Sequence, residues 1–135
     1  MIKISSDRFK DIVNRFSQKR IMVIGDLMVD EYLKGKVSRI SPEAPVPVVD
    51  INEQSIRLGG AANVAYNILN LGCQPLLIGV VGQDQMGKQL IDILHESKMS
   101  YDGIIQLSDR PTTVKIPITL FFDILTSFPI ILPSS

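Results

Sequence analysis

Gly59-Gly60-Ala61-Ala62-Asn63-Val64-Ala65 is the stretch on which the reading of the fold turns. Adjacent glycines ahead of a helix let the backbone approach a ligand closely, because no Cβ intervenes. The unpaired N–H groups of the first helical turn then face whatever sits there. Asn63, in that turn, offers both a donor and an acceptor, which suits a sugar hydroxyl. A plain helix entry, with small residues packed on a sheet, accounts for the same residues equally well. The helix runs from Gly59 to Leu71, with Ala62, Ala65, Tyr66 and Leu69 on one face and Gly72 as its stop.

On either side of this helix the pattern alternates between strand and helix. Ile21 to Ile24 is a continuous apolar run ending at Gly25, as expected of a strand buried on both faces of a parallel sheet. Pro75 to Val81 reads as a second buried strand and Ile104 to Leu107 as a third. Between them, Gln85 to Ser97 is amphipathic, with Met86, Leu90, Ile93 and Leu94 facing inward. Ahead of them, Ser5 to Gln18 forms a further amphipathic helix from Phe9, Ile12, Val13 and Phe16, capped by Ser5, Ser6 and Asp7. Short connections between these pieces predict an α/β fold with a parallel, Rossmann-type sheet. From Glu31 to Arg57 the character changes: Pro42, Pro45 and Pro47 exclude a helix and disfavour a central strand. Tyr32–Val37 and Val46–Ile51 are therefore edge strands or an excursion from the main sheet.

Charge and cysteine content narrow the function. Lys+Arg and Asp+Glu both number 14, so no overall basic field draws nucleic acid or an anionic membrane. One cysteine, Cys73, leaves no internal disulfide and fits a reducing compartment. The polar start of the chain lacks the apolar core of a secretory signal. His95 has no second histidine or cysteine pair with which to bind zinc, and no G-x-S-x-G or dinucleotide fingerprint occurs.

Two clusters besides the glycine pair bear on chemistry. Gly25-Asp26-Leu27-Met28-Val29-Asp30 closes the first strand, and ligands of open parallel sheets bind outside the carboxyl ends of strands. A carboxylate there can accept hydrogen bonds from neighbouring hydroxyls, although Asp26 or Asp30 capping a turn explains the residues too. Gly82-Gln83-Asp84-Gln85-Met86-Gly87-Lys88-Gln89 has the spacing of a phosphate-binding P-loop up to its lysine. Gln89 stands where that motif needs Ser or Thr for magnesium, so the P-loop reading fails and Lys88 is a solvated helix residue.

Together these segments resemble the ribokinase, or phosphofructokinase-B, family of carbohydrate kinases. Gly59, Gly60, Ala61, Asn63, Ala65, Gly72 and Gly82 fill the positions of that family's N-terminal signature, and Gly82-x-Asp84-x-x-Gly87 is typical of it. Within the family, the run from Val37 to Val48 and Arg110-Pro111-Thr112-Thr113-Val114-Lys115 look like the kinase domain of bacterial heptose 7-phosphate kinases. The resemblance implies ATP-dependent phosphorylation of D-glycero-D-manno-heptose 7-phosphate at its anomeric hydroxyl, on the route to ADP-heptose and lipopolysaccharide core. It implies that Asp30, Gly60 and Asn63 hold sugar hydroxyls and that Gly59 permits close approach. Lys115, together with Arg110 or Arg39, would meet the substrate's phosphate. Residues 1–115 would be the N-terminal part of the kinase domain, with lid segments at about 31–57 and 110–115 that also pair two copies into a homodimer. A cytoplasmic protein using ATP and Mg2+ is expected, with no protein-bound metal and no nucleic-acid or membrane partner.

The family's catalytic base and anion hole come from a downstream Gly-Ala-Gly-Asp-like turn, and no such sequence occurs here. No catalytic residue is therefore assigned, and these residues alone are expected to bind no nucleotide and to act as a remnant that holds sugar or dimerises. Residues 116–135 are foreign to the pattern: Asp123 is their only charge, which suggests a reading-frame shift at or just after Lys115. The apolar run from Ile116 to Leu132 is broken by prolines and too short to span a bilayer.

Overall fold

The computed structural model describes residues 4–121; of the expected apolar tail, 116–135, residues 122–135 lie outside the described residues. The chain divides into two compact units. Of the described residues, the first comprises 4–30 and 57–115, the second 31–56 and 116–121.

In the first unit, α1 (Ser6–Asn14) is followed by a 3-10 turn at Phe16–Gln18. The Ser5 side chain caps α1 by accepting from the Arg8 amide, and Asp11 pairs with Arg8 and Arg15 one turn to either side. Next come β1 (Arg20–Ile24), α2 (Gly60–Asn70), β4 (Gln74–Gly82), α3 (Gln85–Glu96) and β5 (Gly103–Leu107). The helix stop at Gly72 is borne out: its φ of +89° is left-handed, which glycine adopts freely, and its amide bonds back to Leu69 O. The strands pair in parallel in the order β1-β4-β5, with Val23 beside Leu77 and Val80 beside Ile105.

Both crossovers, β1 to β4 and β4 to β5, step in the same direction across the sheet. Right-handed connections then place α2 and α3 on the same face. That face carries Leu77 and Val81, which are buried with Ala62, Ala65, Leu90 and Leu94 of the helices. Side chains alternate along a strand, so Met22, Ile24, Leu76, Ile78, Val80, Ile105 and Leu107 share the opposite face.

The expectation of a first strand buried on both faces is corrected here. Met22 is 58% exposed and Ile24 69%, because no described element of this unit covers their face. The amphipathic α1 likewise buries none of its residues, with Phe9 exposed.

The long strands β2 (Leu27–Ile40) and β3 (Pro47–Gly59) each begin in one unit and end in the other. Pro42 and Pro45 fall in the connection between them and Pro47 opens β3, where the missing N–H costs least. In the second unit, Lys34 reaches Glu53 across the strands at 3.0 Å and Gln54 donates to Glu31. Here β7 (Ile118–Phe121) runs parallel to Leu33–Lys36. In the first unit, β6 (Thr113–Lys115) runs parallel to Met28–Asp30. Residues 110–115, assigned with 31–57 to the lid by resemblance, thus belong to the first unit.

Candidate functional site

The site builds outward from the end of β1. After Ile24 the chain turns at Gly25-Asp26, and Leu27 bridges to Gly60 at the start of α2. The amide of Ala61 donates to Asp26 O at 3.0 Å, tying the helix entry to that turn. No side chain caps α2: Gly59 occupies the N-cap position in an extended conformation. Apart from the Ala61 amide, the orphan N–H groups of the first turn, with the positive end of the helix dipole, are left for an oxygen-rich ligand.

The two glycines do different work. A Cβ on Gly59 would lie 2.8 Å from Asp30 Oδ1 and 2.8 Å from Met28 Cγ. Gly59 is needed for space, so that the Asp30 carboxylate can lie against the backbone. Gly60 has φ +54°, and a Cβ there would run into Asp26 O. It needs both space and a left-handed backbone.

Asp30 is 7% exposed, so its carboxylate is nearly out of solvent. The Lys115 ammonium stands 2.9 Å from Asp30 Oδ1. The contact is an ion pair without hydrogen-bond alignment, since Oδ1 accepts no aligned donor. It follows from the β2–β6 register, which sets Asp30 directly beside Lys115. The Lys115 side chain is itself 60% exposed and reaches from solvent into the site.

The other expected residues are placed less closely. Asn63 stands in the first turn of α2 with its side chain exposed. Arg110 lies in the β5–β6 loop, lining an open depression of about 330 Å³ with Gln83, Asp84, Ser108, Asp109 and Pro111. None of Asp30, Gly59 and Lys115 lines that depression. Arg39 sits near the end of β2 in the second unit.

One group escaped sequence reasoning. Asp84 is the N-cap of α3, its Oδ1 accepting from the Gly87 amide at 2.7 Å. The same carboxylate accepts the Thr112 amide on Oδ2 and the Thr112 hydroxyl on Oδ1, both at 2.7 Å. The Thr112 hydroxyl in turn accepts the Gly82 amide at 2.9 Å. These bonds, the Thr112 amide first and the Gly87 amide next, hold the Asp84 carboxyl below its ordinary value. The spacing Gly82-x-Asp84-x-x-Gly87 thereby gains a physical reason: a Cβ on Gly82 would press on Thr112 N, and one on Gly87 would strike Gly82 O. An Asp just before an apolar-periodic helix was the visible signal for the cap, but nothing local pointed to Thr112.

Among the described residues, no group of three or more His, Cys, Asp or Glu side chains could hold a metal ion, and no helix is long and apolar enough to cross a membrane.

A profile of the pfkB family carbohydrate kinases matches residues 18–119. The chain is 51% identical over 100 residues to the bifunctional protein HldE of Magnetococcus marinus, covering 74% of this chain and 20% of that protein. It is 47% identical over 102 residues to the D-beta-D-heptose 7-phosphate kinase of Bordetella bronchiseptica, covering 76% of this chain and 32% of the relative. The chain thus spans about a fifth to a third of the length of these curated relatives. Among solved structures, it is similar to an uncharacterized sugar kinase from Pyrococcus horikoshii in complex with ATP. That match has a TM-score of 0.54 and 27% identity, covering 73% of this chain and 30% of the other.

Proposed function

We propose that this chain, which belongs to the pfkB family of carbohydrate kinases, forms the sugar-holding side of a kinase site for a heptose 7-phosphate. The observation that carries this reading is the Asp30–Gly59–Lys115 arrangement: a nearly buried carboxylate laid against a glycine, with a solvent-reaching cation 2.9 Å away. An ionised carboxylate accepts hydrogen bonds only, so Asp30 suits the donor side of adjacent sugar hydroxyls. The uncapped start of α2 supplies backbone donors to sugar oxygens, and Asn63 supplies both kinds of group. Lys115 meets the 7-phosphate as a compact point charge, with Arg110 as a second cation. Similarity to heptose 7-phosphate kinases supports the choice of sugar, and the ATP-bound neighbour supports ATP as the phosphoryl donor.

In this reading the γ-phosphoryl of ATP moves to the anomeric hydroxyl, and the hydroxyl proton passes to a base. The resemblance expects that base in a Gly-Ala-Gly-Asp turn that these residues lack. Magnesium would be carried mainly by the ATP phosphates, as is usual for kinases, and would neutralise their charge. A second reading follows: a sugar-phosphate binder without turnover. The lid segments at about residues 31–57 and 110–115 would also form the contact between two copies, in the cytoplasm.

Calorimetric titration with D-glycero-D-manno-heptose 7-phosphate, beside the same heptose without phosphate, tests the proposal. Saturable binding that needs the phosphate is the expected result, and absence of binding overturns it. Release of ADP in a coupled assay then decides between kinase and binder.

A further inference from the structure

We propose that Asp84 and Thr112 form a register clamp that positions Lys115 in the sugar-phosphate site, an inference that rests on the reading just given for Lys115. The strand that carries Lys115 is only three residues long, Thr113–Lys115, and lies at the edge of its sheet beside β2. Three pairs by themselves specify a register weakly. The same register resumes beyond Pro117, where β7 pairs with Leu33–Lys36 and the Leu33 amide donates to Pro117 O; the clamp would fix the other end of this stretch. A slip of one residue would turn every side chain of the strand to the other face. Lys115 would then leave Asp30.

Thr112 is the residue immediately before this strand, and it is 5% exposed. Its amide and hydroxyl both donate to Asp84, and its hydroxyl accepts from Gly82. Each of these bonds has a fixed direction. The ionised carboxylate can only accept, so the hydroxyl proton points to Asp84 and an oxygen lone pair remains for the Gly82 amide. Asp84 is in turn held at the start of α3 by the Gly87 amide, and Gly82 ends β4. The clamp therefore ties the beginning of β6 to the central strand and a helix of the same unit. From Thr112 to Lys115 is about 10 Å of extended chain, too short to absorb a one-residue slip when one end is pinned.

A cap that merely stabilised α3 would require no bond to Thr112. Valine at 112 keeps the shape and removes the hydroxyl; serine keeps the hydroxyl; Asp84→Asn keeps a capping oxygen but cannot accept from both Thr112 groups on both atoms.

The experiment uses the 135-residue chain and two readouts: amide hydrogen exchange followed residue by residue, and the Kd for D-glycero-D-manno-heptose 7-phosphate. Thr112→Val should speed exchange of the Thr113 and Lys115 amides, which face β2, at least about tenfold, with Val80 and Ile105 unchanged. Its Kd should weaken by about tenfold, and Thr112→Ser should restore both quantities to within about threefold. Asp84→Asn should follow Thr112→Val. The proposal is overturned if exchange at Thr113 and Lys115 does not change, if the whole sheet loosens equally, or if exchange rises while the Kd stays put. If the wild-type chain binds no heptose phosphate, the functional reading fails and exchange alone decides the clamp. Acceleration confined to Thr113 and Lys115 and reversed by serine then sustains it, and any other pattern refutes it.

Discussion

Replacing Gly60 by alanine, with Gly72→Ala as its internal control, tests the close backbone approach at the head of α2. Both glycines have positive φ, +54° and +89°. An alanine at either position incurs the left-handed penalty, about 1–2 kcal/mol. The surroundings differ. A Cβ at Gly72 meets nothing within 4 Å, whereas one at Gly60 runs into Asp26 O and lies 3.0 Å from Met28 Cε. Met28 can swing aside, but Asp26 O is backbone and accepts the Ala61 amide. Moving it sacrifices a hydrogen bond of about 0.5–1.5 kcal/mol and adds local repacking. Gly60→Ala should therefore cost about 1–3 kcal/mol more than Gly72→Ala, or about 2–5 kcal/mol in total. Urea titrations of both variants, fitted at a common m, give the difference directly. Heptose 7-phosphate affinity should fall with Gly60→Ala and hold with Gly72→Ala, which lies at the far end of the helix. Equal destabilisation by the two alanines, to within about 0.5 kcal/mol, would mean that the helix head is not pressed against the Asp26 turn.

Three other outcomes are expected. Lys115→Met should cost about 1–2 kcal/mol, between the values for exposed and buried pairs, because it strands the Asp30 charge; Asp30→Asn in the same chain should recover most of the loss in a double-mutant cycle. Asp84 has a lowered pKa in the folded chain, so its stabilisation is whole above the unfolded value near 3.8 and is lost as pH falls through the lower folded value. A pH series of urea midpoints should thus lose a step in Asp84→Asn below about pH 4, and an unchanged acid limb would refute this. On the bare sheet face, Ile24→Lys should change stability by no more than about 0.5 kcal/mol while reducing dye binding to exposed apolar surface; a loss above about 2 kcal/mol would show that the face is covered.

Much of the architecture was legible because it is written in local periodicity. The helix from Gly60, its stop at Gly72, the amphipathic run of α3 and the apolar runs of β4 and β5 each depend on residues within one or two turns. The glycine pair and Asp30 could be singled out because glycine before a helix and carboxylate after a strand carry meaning without a partner. Local pattern misled where burial depends on what lies across a sheet. Ile21 to Ile24 is as apolar as a strand covered on both faces, yet two crossovers of one hand put both helices on one side.

Sequence alone settled the class of fold and the helix entry at Gly59-Gly60, since each rests on spacing along the chain, and its motif residues carried the resemblance to the kinase family. Tertiary structure alone decided which groups meet. Lys115 stands 85 residues after Asp30 in the chain, and only parallel pairing of β2 with β6 brings them to 2.9 Å. Thr112 lies 28 residues from Asp84, and their hydrogen bonds exist only because β5 returns the chain to the head of α3. A hydrogen bond or ion pair acts over a few ångströms of space, and no periodicity encodes a contact between residues so far apart in sequence.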